Sequence, residues 1–242
     1  ATRLGVLTIT SGGVVAFQGA GTQQAASLAV TTTTSTTFTG NVNLTNGVSL
    51  AAGAGNGSFL NGLTAGAAST FANTGSLQLG DAAADVTSLT GALTHTAGAT
   101  SLGGTITAPT GATFAVATIN SDNILNTTNS AVAFTSTIDS DALETNDLTV
   151  NTGTAATTIS GVIGGAVNGE LGTLTINNTS VAGMALPTTT AGAVNVITNG
   201  PVTDFGNLAI SGLLSIIAGT NAVRLAADFT LPPAEPSGLA AI

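Results

Sequence analysis

One short pattern, Leu-(Thr/Ala)-(Val/Ile), recurs along this chain and limits the fold more than any other feature. It stands at Leu28-Ala29-Val30, Leu148-Thr149-Val150, Leu174-Thr175-Ile176 and Leu208-Ala209-Ile210, usually with an apolar residue three positions before the leucine. Looser copies sit at Leu63 and Leu89. Successive leucines are 35, 26, 59, 26 and 34 residues apart, and the 59 reads as two units with one core blurred near Val116. Repeats of roughly 20 to 50 residues mark solenoids and arrays, in which each unit buries its apolar face only by stacking on its neighbours.

The local signal around these cores is period two. Phe38, Gly40, Val42 and Leu44 alternate with Thr39, Asn41, Asn43 and Thr45, the pattern of short strands with one face buried. Turn signals lie between: Asn46-Gly47, Asn56-Gly57, Asn61-Gly62, Asn168-Gly169 and Asn199-Gly200, with Gly103-Gly104 and Gly164-Gly165. With 32 Gly and 45 Thr, helix is disfavoured and an all-β chain is predicted.

A β-sandwich of short strands is the rival architecture, and side-chain size separates the two. A sandwich of 242 residues would anchor its core on Trp or Tyr and carry a charged outer face, whereas here Trp and Tyr are absent and 5% of residues are charged. The thin interior of a parallel β-solenoid needs only Val, Leu, Ile, Ala and an occasional Phe, because like residues stack at about 4.8 Å. The prediction is a parallel β-helix or β-solenoid, a single elongated domain over 1–230 with a Pro-rich tail at 231–242. At about 20 to 26 residues per turn it makes about nine to twelve turns, a rod on the order of 45–60 Å long.

Composition also removes much chemistry. Eleven carboxylates face only Arg3 and Arg224, a net charge of −9, so there is no basic stripe for phosphates and no aromatic platform for bases. Nucleic acid is not an expected partner. The acidic residues are spread along the sequence, and their charge reads as solubility. Without cysteine there is no disulfide framework, thiolate nucleophile or Cys-based metal site. No apolar run reaches the length of a membrane-spanning helix, and an outer-membrane barrel lacks its Tyr and Trp girdles. Membrane insertion is not expected. The chain opens on Ala1 without a leader pattern, the expectation for an exported chain that has lost its signal or for a piece of a longer one.

Three features are candidates for function. His95, the single histidine, lies in Leu93-Thr94-His95-Thr96 with no nucleophile or acid at triad spacing, and reads as a strand residue. Asp139, Asp141, Glu144 and Asp147 form the densest charge and could offer oxygen ligands to Ca²⁺, but the stretch lacks the glycine of an EF-hand loop and the nonapeptides of calcium β-rolls. A solvated loop is the reading preferred there, and no cofactor is expected. The segment 31–39, threonine except for Ser35 and Phe38, reads either as an edge whose hydroxyls bond backbone or as a flat array for ice or polysaccharide. The five Asn-x-Ser/Thr sequons, at Asn43, Asn56, Asn126, Asn177 and Asn178, are what chance gives in a chain so rich in these residues.

Three runs carry a family resemblance: Asn146-Asp147-Leu148-Thr149-Val150-Asn151-Thr152-Gly153, Thr158-Ile159-Ser160-Gly161-Val162-Ile163-Gly164-Gly165, and Leu171-Gly172-Thr173-Leu174-Thr175-Ile176. With 194–225, where Asp204-Phe205-Gly206-Asn207-Leu208-Ala209-Ile210 stands, they resemble the repeat units of filamentous-haemagglutinin-like bacterial surface proteins. The similarity spans 142–226 and, more loosely, 24–120. It implies a secreted parallel β-helix at the cell surface, in adhesion or fibre formation, without catalysis. Those proteins are far longer and carry a secretion domain that nothing here matches, so a fragment or short relative is expected. The function expected is a non-enzymatic structural subunit of an extracellular fibre or adhesin, partnered by copies of itself, with a cell-surface or matrix polysaccharide as a further partner. The alternative is an ice- or polysaccharide-binding module. Assembly is expected to run end to end through the strand-like start, Leu4, Val6, Leu7 and Ile9, and the apolar Leu239 and Ile242.

Overall fold

The computed structural model describes residues 3–203, 206–220 and 223. Among them are 25 strands and no helix. Every pairing is parallel, and register partners lie between 17 residues apart (Leu102 and Ile119) and 26 apart (Val150 and Ile176). Parallel partners at such short separations mean that each turn of chain lies on the previous one, which excludes the sandwich. The fold is a parallel β-solenoid of about 10 turns.

The solenoid has three faces. The first stacks Val14–Phe17, Thr33–Phe38, Ala54–Phe59 and Leu77–Leu79 and ends on Leu208–Ile210. The second stacks Val42–Leu44, Gly62–Ala65 and Val86–Leu89 and runs through Leu148–Gly153 to Leu214–Ile217. The third holds Val48–Leu50, Thr70–Phe71, Leu93–His95, Ala112–Phe114, Val132–Phe134 and Thr157–Ile159. Thr100–Thr107 and Ala117–Asn126 turn the corner from the first face to the second within one strand.

Alternation puts every second residue inside, and the turn-to-turn register lines these up in columns. On the second face one column reads Val42, Leu63, Thr87, Ile106, Leu125, Val150, Ile176, Val196 and Ile216. The first face carries Phe17, Phe38, Phe59, Leu79, Leu102 and Ile119. Phe17, Phe38 and Phe59 stack ring on ring at 4.6 and 5.3 Å with planes 5° apart, and Phe114 stacks on Phe134 at 5.4 Å. Outside, Asn151 donates its amide to Asn126 at 2.7 Å and Asn177 donates to Asn151 at 2.9 Å, a ladder of side-chain amides over three turns. Leu148, Val150, Leu174 and Ile176 are fully buried, as the repeat reading requires.

Three sequence expectations change. The recurring Leu cores are not equivalent: Leu28 lies on the third face, Leu148 and Leu174 on the second, Leu208 on the first. Leu174 has Val194 as its register partner, so the 34-residue interval to Leu208 is longer than a turn. Asn56-Gly57 is not a turn but part of Ala54–Phe59, where Gly57 points inward and a Cβ would come 2.7 Å from Leu50 Cδ1. The glycine is there to make room. Phenylalanine, expected as an occasional filler, forms in-register stacks at Phe17, Phe38 and Phe59 and at Phe114 and Phe134. The 231–242 tail lies outside the described residues.

Candidate functional site

The corner between the first and second faces has connections of unequal length. It is a wide loop at 80–85, no loop at Gly103-Gly104, a short one at 120–122, and long ones at 141–147 and 164–170. Gly104 makes the loopless corner with φ 68° and packs under the Asp85 carbonyl, a backbone geometry that favours glycine. The two long loops stretch their turns: Leu125 to Val150 is 25 residues and Val150 to Ile176 is 26, against 19 from Ile106 to Leu125 and 20 from Ile176 to Val196. Insertions in a repeat fold collect where they do not disturb stacking, and that place is often the binding side.

The carboxylates collect there too. Asp81, Asp85, Asp122, Asp139, Asp141, Glu144, Asp147 and Glu170, all of the acidic residues among the described ones, lie in these loops or on the strand end beside them. Charges spread along the sequence become a ridge in space, because the chain revisits this corner once per turn. Its sequence signal is an acidic residue directly before a second-face segment, as in Asp85-Val86, Asp122-Asn123, Asp147-Leu148 and Glu170-Leu171. Among the described residues no basic side chain answers the ridge, since Arg3 donates to Asn43 Oδ1 at 3.1 Å on the second face. Partial burial, and then the charge of Asp85, hold the Asp81 carboxyl above its ordinary range.

The four candidate calcium ligands sit on the ridge, where three of them give one oxygen to a backbone N–H and the fourth gives one to a side-chain amide. Asp139 Oδ1 accepts from Ala166 N at 2.9 Å, Asp141 Oδ1 from Ala142 N at 2.8 Å and Asp147 Oδ1 from Thr173 N at 2.6 Å, while Glu144 Oε2 accepts from the Asn146 amide at 3.1 Å. Asp139 and Asp147 thus pin each turn to the next. Among the described residues no three His, Asp or Glu side chains come together to hold a metal ion.

Two residues that the sequence reading passed over stand at the tips of the long loops. Leu143 is 85% exposed and Val167 is 89% exposed. Leu143 N donates to Asn168 O at 3.3 Å, which sets the tips side by side. Leu143 has φ 72°, the left-handed region that a bulky side chain rarely adopts.

His95 is fully buried on the third face, in register with Phe114. Nε2 lies 3.1 Å from Asn73 O, which can only accept, so Nε2 carries the proton. Nδ1 lies 2.8 Å from Thr100 Oγ1 and accepts from that hydroxyl in the neutral ring. Burial lowers its pKa, with the Asn73 hydrogen bond opposing. Both nitrogens are engaged inside the core.

The 31–39 segment does not present a flat hydroxyl array. Thr33 and Thr36 turn inward and bond to each other at 3.3 Å, while Thr31, Thr32, Thr34 and Thr39 donate to the carbonyls of Ile9, Thr10, Gly12 and Phe17 on the preceding turn. A more regular polar array lies on the outer second face, where Asn126, Asn151 and Asn177 follow one another over three turns and Thr149 pairs with Thr175, while Ile124 separates Thr105 from Thr149.

The remaining expectation concerns the ends. Among the described residues Leu4–Ile9 pairs only with Gln23–Val30, and Val14–Phe17 only with Thr33–Phe38. Leu4, Val6 and Val14 are 62%, 67% and 71% exposed, whereas Leu7 packs on the core and Ile9 is buried. A cavity of about 240 Å³ opens beside Leu4 and Leu7, lined mostly by apolar residues such as Phe17, Leu28 and Phe38, with Gln23 and Gln24. The other half-buried core residues, Leu208, Ile210, Leu214 and Ile216, are in the last described turn. Leu239 and Ile242 lie outside the described residues. No family model, no curated protein and no solved structure matches this chain.

Proposed function

We propose that this protein is a non-enzymatic structural element of an extracellular fibre or surface adhesin, built by end-to-end association of solenoids. The observation that supports this reading is the first described turn, whose strands pair on one side only among the described residues, whose apolar residues Leu4, Val6 and Val14 are exposed, and where Leu4 lines an apolar cavity. Unpaired N–H and C=O groups along a strand edge form a template for another chain, and apolar columns that stop at a surface gain by continuing into a neighbour. Secretion and a polysaccharide partner belong to the same proposal and rest on the composition and the surface-protein resemblance. A second reading, attachment to ice or polysaccharide, draws on the uncharged Thr and Asn array of the second face, where side chains recur at about 4.8 Å between turns.

Sedimentation velocity and electron microscopy of the full chain test the first reading. Concentration-dependent growth into rods or filaments is expected, and Leu4→Asp with Val6→Asp, which places charge on the open edge, is expected to abolish growth without altering the far-ultraviolet dichroism. A monomer at high concentration, or growth unaffected by the two aspartates, would overturn it.

A further inference from the structure

We infer that the corner at 141–147 and 164–170 is a docking site for a cationic, partly apolar segment of another protein, one that alternates basic and aliphatic side chains. This goes beyond assembly, since it uses a different part of the surface and a different partner. Two aliphatic side chains, Leu143 and Val167, stand nearly free in water on adjacent loop tips. Folding gains nothing from that exposure, and the fold holds Leu143 there at a left-handed φ of 72°. The loops are insertions: the flanking turns stack in register without them, Leu125 on Val150 and Val150 on Ile176. Their removal would leave the columns intact, so they answer to something outside the solenoid.

Charge identifies the occupant. Asp141, Glu144 and Asp147 are exposed around the apolar tips, and no described cation neutralises them. A segment with lysine or arginine beside an aliphatic residue meets both features, the apolar tips supplying buried area at the centre and the carboxylates supplying orientation at the rim. A second copy of this chain does not qualify. Its basic residues are two, Arg3 and Arg224, too few to answer the carboxylates, and Arg3 is bonded to Asn43.

The experiment is fluorescence anisotropy of a labelled synthetic peptide alternating lysine and leucine, titrated with the full chain at low salt, beside oligolysine as a charge-only probe. The lysine–leucine peptide is expected to bind more tightly than oligolysine. Both complexes should weaken as salt rises, because exposed charges are screened. Leu143→Asn with Val167→Asn is expected to reduce lysine–leucine binding by about tenfold, leaving oligolysine unchanged, since only apolar contact is removed. Asn tolerates the left-handed backbone at 143. Asp141→Asn with Glu144→Gln should weaken both probes. Amide exchange of the unsubstituted chain gives a readout free of substitutions, with protection on peptide addition confined to the two loops. The proposal is overturned if neither peptide binds, if the two bind equally, if the asparagine pair leaves lysine–leucine binding unchanged, or if protection appears elsewhere.

Discussion

Truncation of Phe38 to alanine probes how far energy is shared along the solenoid. Phe38 is 2% exposed and sandwiched between Phe17 and Phe59, its ring 4.6 and 5.3 Å from theirs. Its removal costs the buried ring and leaves a cavity, about 3–5 kcal/mol. Phe17, on the open first turn and only half buried, should cost about half as much when truncated. The double variant should show a coupling of about 0.5–1.5 kcal/mol, the value of a stacked pair beyond its area. In a stacked repeat each turn touches only its neighbours, so stability is close to a sum of turn and interface contributions. The loss should therefore stay local. Native-state amide exchange is the assay: opening free energies in Thr33–Phe38 and Ala54–Phe59 are expected to fall by the full amount, while those in Leu148–Gly153 and Leu171–Asn178 stay within about 0.5 kcal/mol. Uniform loss over all turns would refute the reasoning, as would equal costs for Phe17→Ala and Phe38→Ala.

Two further outcomes follow from single sites. Because burial lowers the folded-state pKa of His95 below its ordinary 6.5, the unfolded chain takes up the proton first as pH falls. Stability is unaffected above pH 6.5 and is lost below it, by up to about 1.4 kcal/mol per pH unit until the folded-state pKa is reached. His95→Gln, which keeps a donor for Asn73 O and an acceptor for Thr100, should flatten exchange-derived stability just below pH 6.5; an unchanged slope would contradict the assignment. Gly62→Ala should cost at least about 1–2 kcal/mol, because φ is 105° and a Cβ would collide with the Val86 carbonyl, whereas Gly5→Ala, with open space around it, should stay within about 0.5 kcal/mol. Equal effects in denaturant titrations of the two would refute the packing argument.

Much of the fold was legible because strand alternation and side-chain size are local properties. Leu148, Val150, Leu174 and Ile176 lie inside, in register, where the 26-residue interval placed them. Phe17, Phe38 and Phe59, spaced 21 apart, carry the same kind of signal in a different residue type, at turns where the first face has no Leu core. The assignment of similar Leu cores to three different faces was not legible, since a tripeptide fixes which side chains point inward but not which wall of the solenoid it joins. Corner length decides that, and it varies from the bare Gly103-Gly104 to the 141–147 loop.

By itself, the sequence determined an all-β chain with thin apolar columns, no aromatic anchors and little charge, because composition and period-two patterning act residue by residue. Only the tertiary structure decided that Asp81, Asp122, Asp147 and Glu170, separated by as much as 89 positions, share one corner, and that Leu143 and Val167 stand together on it. The physical reason is the winding: residues about one turn apart become neighbours at about 4.8 Å, so the surface is set by position around the turn rather than by distance along the chain.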